Sequence, residues 1–178
     1  MSFNKQKGKS IAFTELGSRF SEEISRIRGG ENIRKCFQCG TCVASCPVRA
    51  IDDEYNPRKI IRMAILGMRE RVLSSDFIWL CSACYTCHQR CPQEVKITDV
   101  MEVLKNLAVK EGYIHPSLIM QAELIGNLGR LYAIEEFDNR RRIKIGLPLV
   151  HPKCDEIVQL FEVTGLVKLV YEREKESK

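Results

Sequence analysis

Two twelve-residue stretches, "CFQCGTCVASCP" at 36–47 and "CSACYTCHQRCP" at 81–92, match cysteine for cysteine and proline for proline, 45 positions apart. Each offers a thiol at every third residue, a fourth thiol four residues further on, and a proline directly after it. Eight of the nine cysteines are used in this way, so any fold the chain adopts has to serve two such loops. Disulfides are not their expected use. The N-terminal stretch "MSFNKQKGKSIAF" is basic but lacks an apolar run followed by a small-residue cleavage site. The expectation is a cytoplasmic, reducing setting in which cysteines serve as thiolate metal ligands.

Three metals compete for the loops. Cys84-Tyr85-Thr86-Cys87-His88 has the spacing of a haem attachment site, whose histidine is an axial ligand, but the twin loop has Val43 where His88 would fall. Zinc takes pairs of thiolates on either side of a spacer around a tetrahedral ion, whereas here three evenly spaced cysteines precede a fourth. The run C-x2-C-x2-C-x3-C-P is that of two-cluster ferredoxins, in which the fourth cysteine ligates the other cluster. On that rule Cys36, Cys39, Cys42 and Cys91 hold one [4Fe-4S] cluster, and Cys81, Cys84, Cys87 and Cys46 hold the second. Gly40, Thr41, Ser82, Ala83 and Thr86 are small enough to let backbone N–H groups approach the sulfurs, and equally suit ordinary turns. Pro47 and Pro92 are expected to turn the chain away after each exchanged ligand.

A chain of 178 residues can bury a core without relying on metal alone. Its formal charge of +5 invites a nucleic-acid reading. Eight thiolates subtract eight from that count and two oxidised cores of charge +2 return four, which leaves about +1 and weakens the reading. On that count nucleic acid is not an expected partner, and no run of 18 apolar residues occurs, so a membrane is not one either.

Helical periodicity accounts for most of the remaining chain. Phe13, Leu16, Phe20, Ile24 and Ile27 form one stripe that ends at Gly29-Gly30 and predicts an amphipathic helix. The 34 residues between Cys46 and Cys81 contain "NPRKIIRMAILGMRERV", which predicts a single helix capped by Asn56 with Pro57 in its first turn. "SSDFIWL" predicts a capped turn that delivers Trp79 to the second loop as a shield against water. Thr98 is the expected cap of a helix that runs to Gly112, and the stretch from Pro116 to Leu128 is helical in pattern but interrupted by Gly126 and Gly129. "DNRRRIKIGLP" is expected to be an exposed connection, Asp155 to cap a last short helix, and "YEREKESK" to fray. The fold class is mostly α: a helical di-cluster ferredoxin module with flanking N- and C-terminal helices. It divides into an N-terminal amphipathic helix at 1–30, a cluster domain at 31–112 and a C-terminal helical, partner-binding extension at 113–178.

Cysteine loops set among helices resemble the helical di-cluster module of multi-subunit oxidoreductases. The two loops, the helix before the first and the short C-terminal tail together resemble the C subunit of the soluble heterodisulfide reductases of methanogenic archaea. That resemblance implies a non-catalytic electron-transfer subunit. Electrons would pass from the flavin- and iron–sulfur-bearing A subunit to the B subunit, whose non-cubane clusters cleave the CoM-S-S-CoB heterodisulfide. A hydrogenase or formate dehydrogenase would complete the assembly, with electron bifurcation as part of its chemistry in methanogenesis. The cluster ligands carry over to Cys36, Cys39, Cys42, Cys91 and to Cys81, Cys84, Cys87, Cys46. The chain has no adjacent Cys-Cys pair of the kind the B subunit uses, and no G-x-G-x-x-G dinucleotide fingerprint.

Rival readings are the same relay serving a glycolate or glycerol-3-phosphate dehydrogenase or a sulfur-metabolism complex, a free-standing ferredoxin, and a structural zinc protein that binds nucleic acid. Cys154 belongs to no loop and is expected to be a buried structural thiol. His151, three residues before it, makes too small a set for a metal site. His88 and His115 are expected to be surface or core histidines, with His88 placed to tune the cluster beside Cys87.

Overall fold

A break at Gly17 decides how the chain begins. In the computed structural model, which describes residues 11–17 and 19–166, the expected N-terminal helix is two elements. A 3-10 turn at Phe13–Glu15 is followed, after an extended Leu16, by α1 (Arg19–Arg26). The Gly17 N–H donates to the Leu66 carbonyl at 3.0 Å, which pins the chain where a continuous helix would have run on. The apolar stripe divides accordingly. Phe20 and Ile24 are buried, whereas Phe13 is 89% exposed.

The first cysteine loop leads into the single-turn α2 (Thr41–Ala44), and α3 (Pro47–Ile51) follows at once. Pro47 therefore starts a helix, at the position where its missing N–H costs nothing. The expected long helix of the connection is likewise broken in two. Asn56 caps α4 (Pro57–Ile65) by accepting from the Lys59 N–H at 3.0 Å. Gly67, with φ +84°, then reverses the chain before α5 (Arg69–Leu73). A Cβ on Gly67 would lie 1.8 Å from the Gly17 carbonyl oxygen, so the breaks at 17 and 67 are one packing event.

Ser75 caps a 3-10 turn at Asp76–Ile78, the second loop leads into α6 (Thr86–Gln89), and α7 (Ile97–Lys110) is the central helix. Ile97, Val100, Met101, Leu104 and Ala108 recur at helical spacing and are all buried. Full burial of each larger apolar side chain contributes about 1.5–3 kcal/mol. The core gathers α1, α4, α5 and α7, with α2 packed on α4, α6 on α7, and α2 and α6 against each other. Both cysteine loops are thus fixed to the same apolar core.

Residues 1–113 form one unit and 114–178 another. In the second, α8 (Pro116–Leu128) runs unbroken through Gly126, stops at a left-handed Gly129, and pairs with α10 (Asp155–Val163). Most of the expected connection "DNRRRIKIGLP" is instead helical, the larger part of α9 (Glu136–Lys144), which starts with reciprocal bonds between Glu135 and Asp138. The stretch "YEREKESK" lies outside the described residues. Among the described residues there are ten α-helices and no strand, so the fold is mostly α. None of these helices is long and apolar enough to cross a membrane.

One cation ties three helices of the first unit. The Arg69 guanidinium pairs with Glu23 of α1 and with Glu111 just past α7 (Nε–Oε1 2.6 Å), and lies 5.0 Å over the Phe20 ring. Because these side chains are about one-third exposed, solvent screens the pairs. Arg69→Met is expected to lower stability by about 1–2 kcal/mol in urea unfolding, and by less in high salt. The hydrogen bond from Arg69 holds the Glu23 carboxyl below its ordinary value of 4.5. Its contribution is therefore complete above that value and is lost as the pH falls through the lower folded value.

Candidate metal centre

The twin loops follow one backbone path. Gln38 and Gly40 in the first, and Ala83 and Tyr85 at the matching places in the second, have φ of 65°, 88°, 50° and 60°. Left-handed residues set among right-handed ones turn successive N–H groups to one side, the concavity that anions and iron–sulfur clusters occupy. Glycine adopts this conformation freely. For Gln38, Ala83 and Tyr85 it costs about 1–2 kcal/mol each, strain of the kind that collects at functional sites.

The sulfurs are matched as well. Thr41 places its hydroxyl 3.4 Å from the Cys39 sulfur, and Thr86 places its own 3.5 Å from that of Cys84. The hydroxyl first, then the backbone N–H of the same threonine, draws each of these exposed thiols below its ordinary pKa. Cys42 and Cys87, one per loop, lie deeper. Burial, followed by the nearby sulfurs of Cys36, Cys87 and Cys39, pushes Cys42 up to about 11. Burial also raises Cys87, with Cys81, Cys84 and Cys46 adding to it and the Thr98 hydroxyl opposing. A thiolate at either place needs a cation, and a coordinating metal supplies one.

Cys46 leaves its own loop to join the other. Together with Cys81, Cys84 and Cys87 it lines a hollow that is open to solvent, walled on its apolar side by Val48, Tyr55, Pro57, Ile97 and Met101. Tyr55 is buried and lines the hollow together with Cys81. Thr98, expected to cap α7, instead lies inside the helix, buried, with its hydroxyl 3.6 Å from the Cys87 sulfur. Lys96, in the left-handed region, takes the cap position. Sequence reasoning missed both hydroxyls, because neither is near its sulfur along the chain.

The other exchanged cysteine, Cys91, is half-buried and accepts from the Val95 N–H at 3.4 Å. Glu94, just beyond it, accepts through its carbonyl from the Asn32 amide, four residues before Cys36, at 3.0 Å. Arg90 and Ser45, the residues immediately before the exchanged cysteines, are joined at 3.1 Å. The two loop ends are therefore stitched side by side. Four cysteine sulfurs around a hollow lined by apolar side chains suit, as thiolates, a cubane cluster. Among the described residues no group of three or more His, Cys, Asp or Glu side chains is arranged to hold a single metal ion.

The remaining candidates play other parts. Trp79 is half-buried against the core and does not line the hollow; the shield expected of it comes from the apolar wall instead. The His88 ring packs at a tilt against Tyr85, and its Nδ1 stands 3.8 Å from Asp99 Oδ1. His115 accepts from the Ser117 N–H and so caps α8, a role histidine seldom signals in sequence. Cys154 is half-buried rather than buried and meets Glu156 at 3.4 Å, while His151 is exposed.

Residues 32–95 match the 4Fe-4S dicluster domain family. The chain is 33% identical over 162 residues to the C subunit of the H(2):CoB-CoM heterodisulfide,ferredoxin reductase of Methanothermobacter thermautotrophicus, covering 87% of this chain and 86% of that one. It is 38% identical over 163 residues to the iron-sulfur C subunit of the CoB--CoM heterodisulfide reductase of Methanopyrus kandleri, covering 87% and 84%. To the C subunit of the ferredoxin:CoB-CoM heterodisulfide reductase of Methanosarcina mazei it is 38% identical over 129 residues, covering 71% and 79%. The helical scaffold, the paired cysteine loops and these relatives point the same way: the chain belongs to the C-subunit family of heterodisulfide reductases and has an iron–sulfur electron-transfer role.

Proposed function

We propose that this chain is the electron relay of a cytoplasmic heterodisulfide reductase complex and has no substrate chemistry of its own. Cys36, Cys39, Cys42 and Cys91 hold one [4Fe-4S] cluster, and Cys81, Cys84, Cys87 and Cys46 hold the second. When bound, the clusters supply one-electron storage. The chain's part is to fix their spacing, exclude water from their apolar side and present Cys39 and Cys84 at the surface, where both sulfurs are exposed.

In this reading electrons come from the flavin-bearing A subunit, then leave to the B subunit, which reduces the CoM-S-S-CoB heterodisulfide. A hydrogenase or formate dehydrogenase feeds the assembly, and flavin-based bifurcation occurs upstream. The segment 113–178 is the partner-binding extension. Of residues 114–166 only Phe161 is buried, and Leu131, Tyr132, Phe137, Ile143, Ile145 and Leu149 are exposed. Apolar surface of that extent marks an interaction site.

The observation that carries the reading is Cys46 standing with the cysteines of the other loop around one hollow. Two clusters coupled across one core suit a relay better than a zinc scaffold. The test is direct. Complex purified without oxygen should contain about eight irons per copy of this chain, with two paramagnetic signals after reduction by dithionite. Complex assembled without the chain should lose heterodisulfide reduction driven by the electron donor. Undiminished turnover in its absence would falsify the relay.

A further inference from the structure

Two buried side chains from outside the cysteine motifs stand against the sulfurs of the second loop. Tyr55 and Thr98 are each 1% exposed and line the hollow with the ligand sulfurs: the Thr98 hydroxyl lies 3.6 Å from the Cys87 sulfur, and Tyr55 stands at the wall that includes Cys81. Tyr55 comes from the connection between the loops and Thr98 from the first turn of α7, so neither is part of a cysteine motif. Nor does the repeat supply counterparts, since the positions 45 residues away are Val100 and Asp53. The other set has donors of its own, all within or next to the loops: the Gln38 amide at 3.2 Å from Cys36, the Thr41 hydroxyl at 3.4 Å from Cys39 and the Val95 N–H at 3.4 Å from Cys91.

A hydroxyl beside a free thiol can donate or accept. Beside a ligating thiolate only the hydroxyl has a proton, so Thr98 must donate. An electron added to a cluster increases the negative charge on its sulfurs, and every donor aimed at them is strengthened by that charge. In a site walled off from water the gain is larger than it would be at the surface. A purely structural role would be filled as well by phenylalanine and valine. Buried hydroxyls need partners, and here ligand sulfurs stand beside them.

We infer that Tyr55 and Thr98 are positioning residues that raise the reduction potential of the cluster held by Cys81, Cys84, Cys87 and Cys46. The inference rests on the relay reading above. It adds a source of tuning: two buried side chains from outside the cysteine motifs stabilise the second cluster in its reduced form.

The experiment is a redox titration of the intact complex, purified without oxygen and followed by electron paramagnetic resonance. Unsubstituted protein is compared with Tyr55→Phe, Thr98→Val and Thr98→Ser, and the second cluster's signal is the one that a Cys84→Ala variant loses. Tyr55→Phe should lower the equilibrium constant for one-electron reduction of that cluster about tenfold, a shift of about 59 mV, and leave the other signal's midpoint in place. Thr98→Val should shift it the same way, and Thr98→Ser, which keeps the hydroxyl, should restore it. The Thr98 pair supplies the same readout should Tyr55→Phe reduce iron content. Full iron with unmoved midpoints, or equal shifts of both signals, overturns this inference alone. Unsubstituted complex with far fewer than eight irons per chain overturns the relay reading and this inference together.

Discussion

Cys46→Ala is expected to remove the paramagnetic signal of the second loop and spare that of the first, although Cys46 belongs to the first loop in sequence. Iron should fall from about eight per chain toward about four. The reason is positional. Cys46 ends a loop whose other three cysteines precede it by four residues or more, but the chain turns at Ser45, where Arg90 reaches across from the opposite loop, and the Cys46 sulfur then lines the hollow with Cys81, Cys84 and Cys87. Its charge is felt at Cys87, on the opposite loop, and at Tyr55 in the connection. Two further variants assign the signals without reference to spectra of other proteins. Cys84→Ala should lose the same signal as Cys46→Ala, and Cys39→Ala should lose the other. If Cys46→Ala and Cys39→Ala instead share a signal, each loop closes on its own cluster and the crossed pairing is wrong.

The cysteine loops and the helical class were legible because both are written locally. Ligand spacing is fixed by the chain between the ligands, and the stripe of Ile97, Val100, Met101, Leu104 and Ala108 follows the helix period. The breaks were not legible. Leu16 and Gly17 interrupt one apolar stripe and Leu66 and Gly67 another, and each break exists because the other segment packs against it. A periodicity argument sees one segment at a time and runs both helices through. For α9 the failure had the opposite cause. "EFDNRRRIK" buries nothing, so it lacks the pattern that reveals a helix, and a reciprocal cap with good helix-forming residues sustains it. The hydroxyls of Tyr55 and Thr98 show the same limit at the site itself. Thr98 has the residue type and position of a cap, and only its distance to a sulfur eleven residues earlier shows what it does.

Gly30→Ala should be among the most destabilising single substitutions in the first unit, at a cost of about 3 kcal/mol. A Cβ at Gly30 would stand 2.1 Å from the Ile24 carbonyl oxygen and 2.8 Å from Ile24 Cγ2. Neither atom can withdraw, since one is helix backbone and the other belongs to a fully buried side chain. For a chain of this length the thermal midpoint should fall by about 6–12 °C. Gly17→Ala is the control. No atom lies within 4 Å of a Cβ there, and its φ is not left-handed. It should be neutral or stabilising by up to about 1 kcal/mol. The damage from Gly30→Ala should also be directional. Gly30 accepts from the Ile33 N–H at 3.1 Å and so starts the turn that carries Asn32, and with it the stitch to Glu94, into the first cysteine loop. Forcing that turn off the end of α1 loosens Cys36 and the Cys91 segment together, while the hollow around Cys46 keeps its support from α7. Iron taken up by a chelator under oxygen-free conditions should therefore come first from the cluster whose signal Cys39→Ala removes. Equal rates of loss from both clusters would mean that the loops are braced by each other more than by the core beneath them.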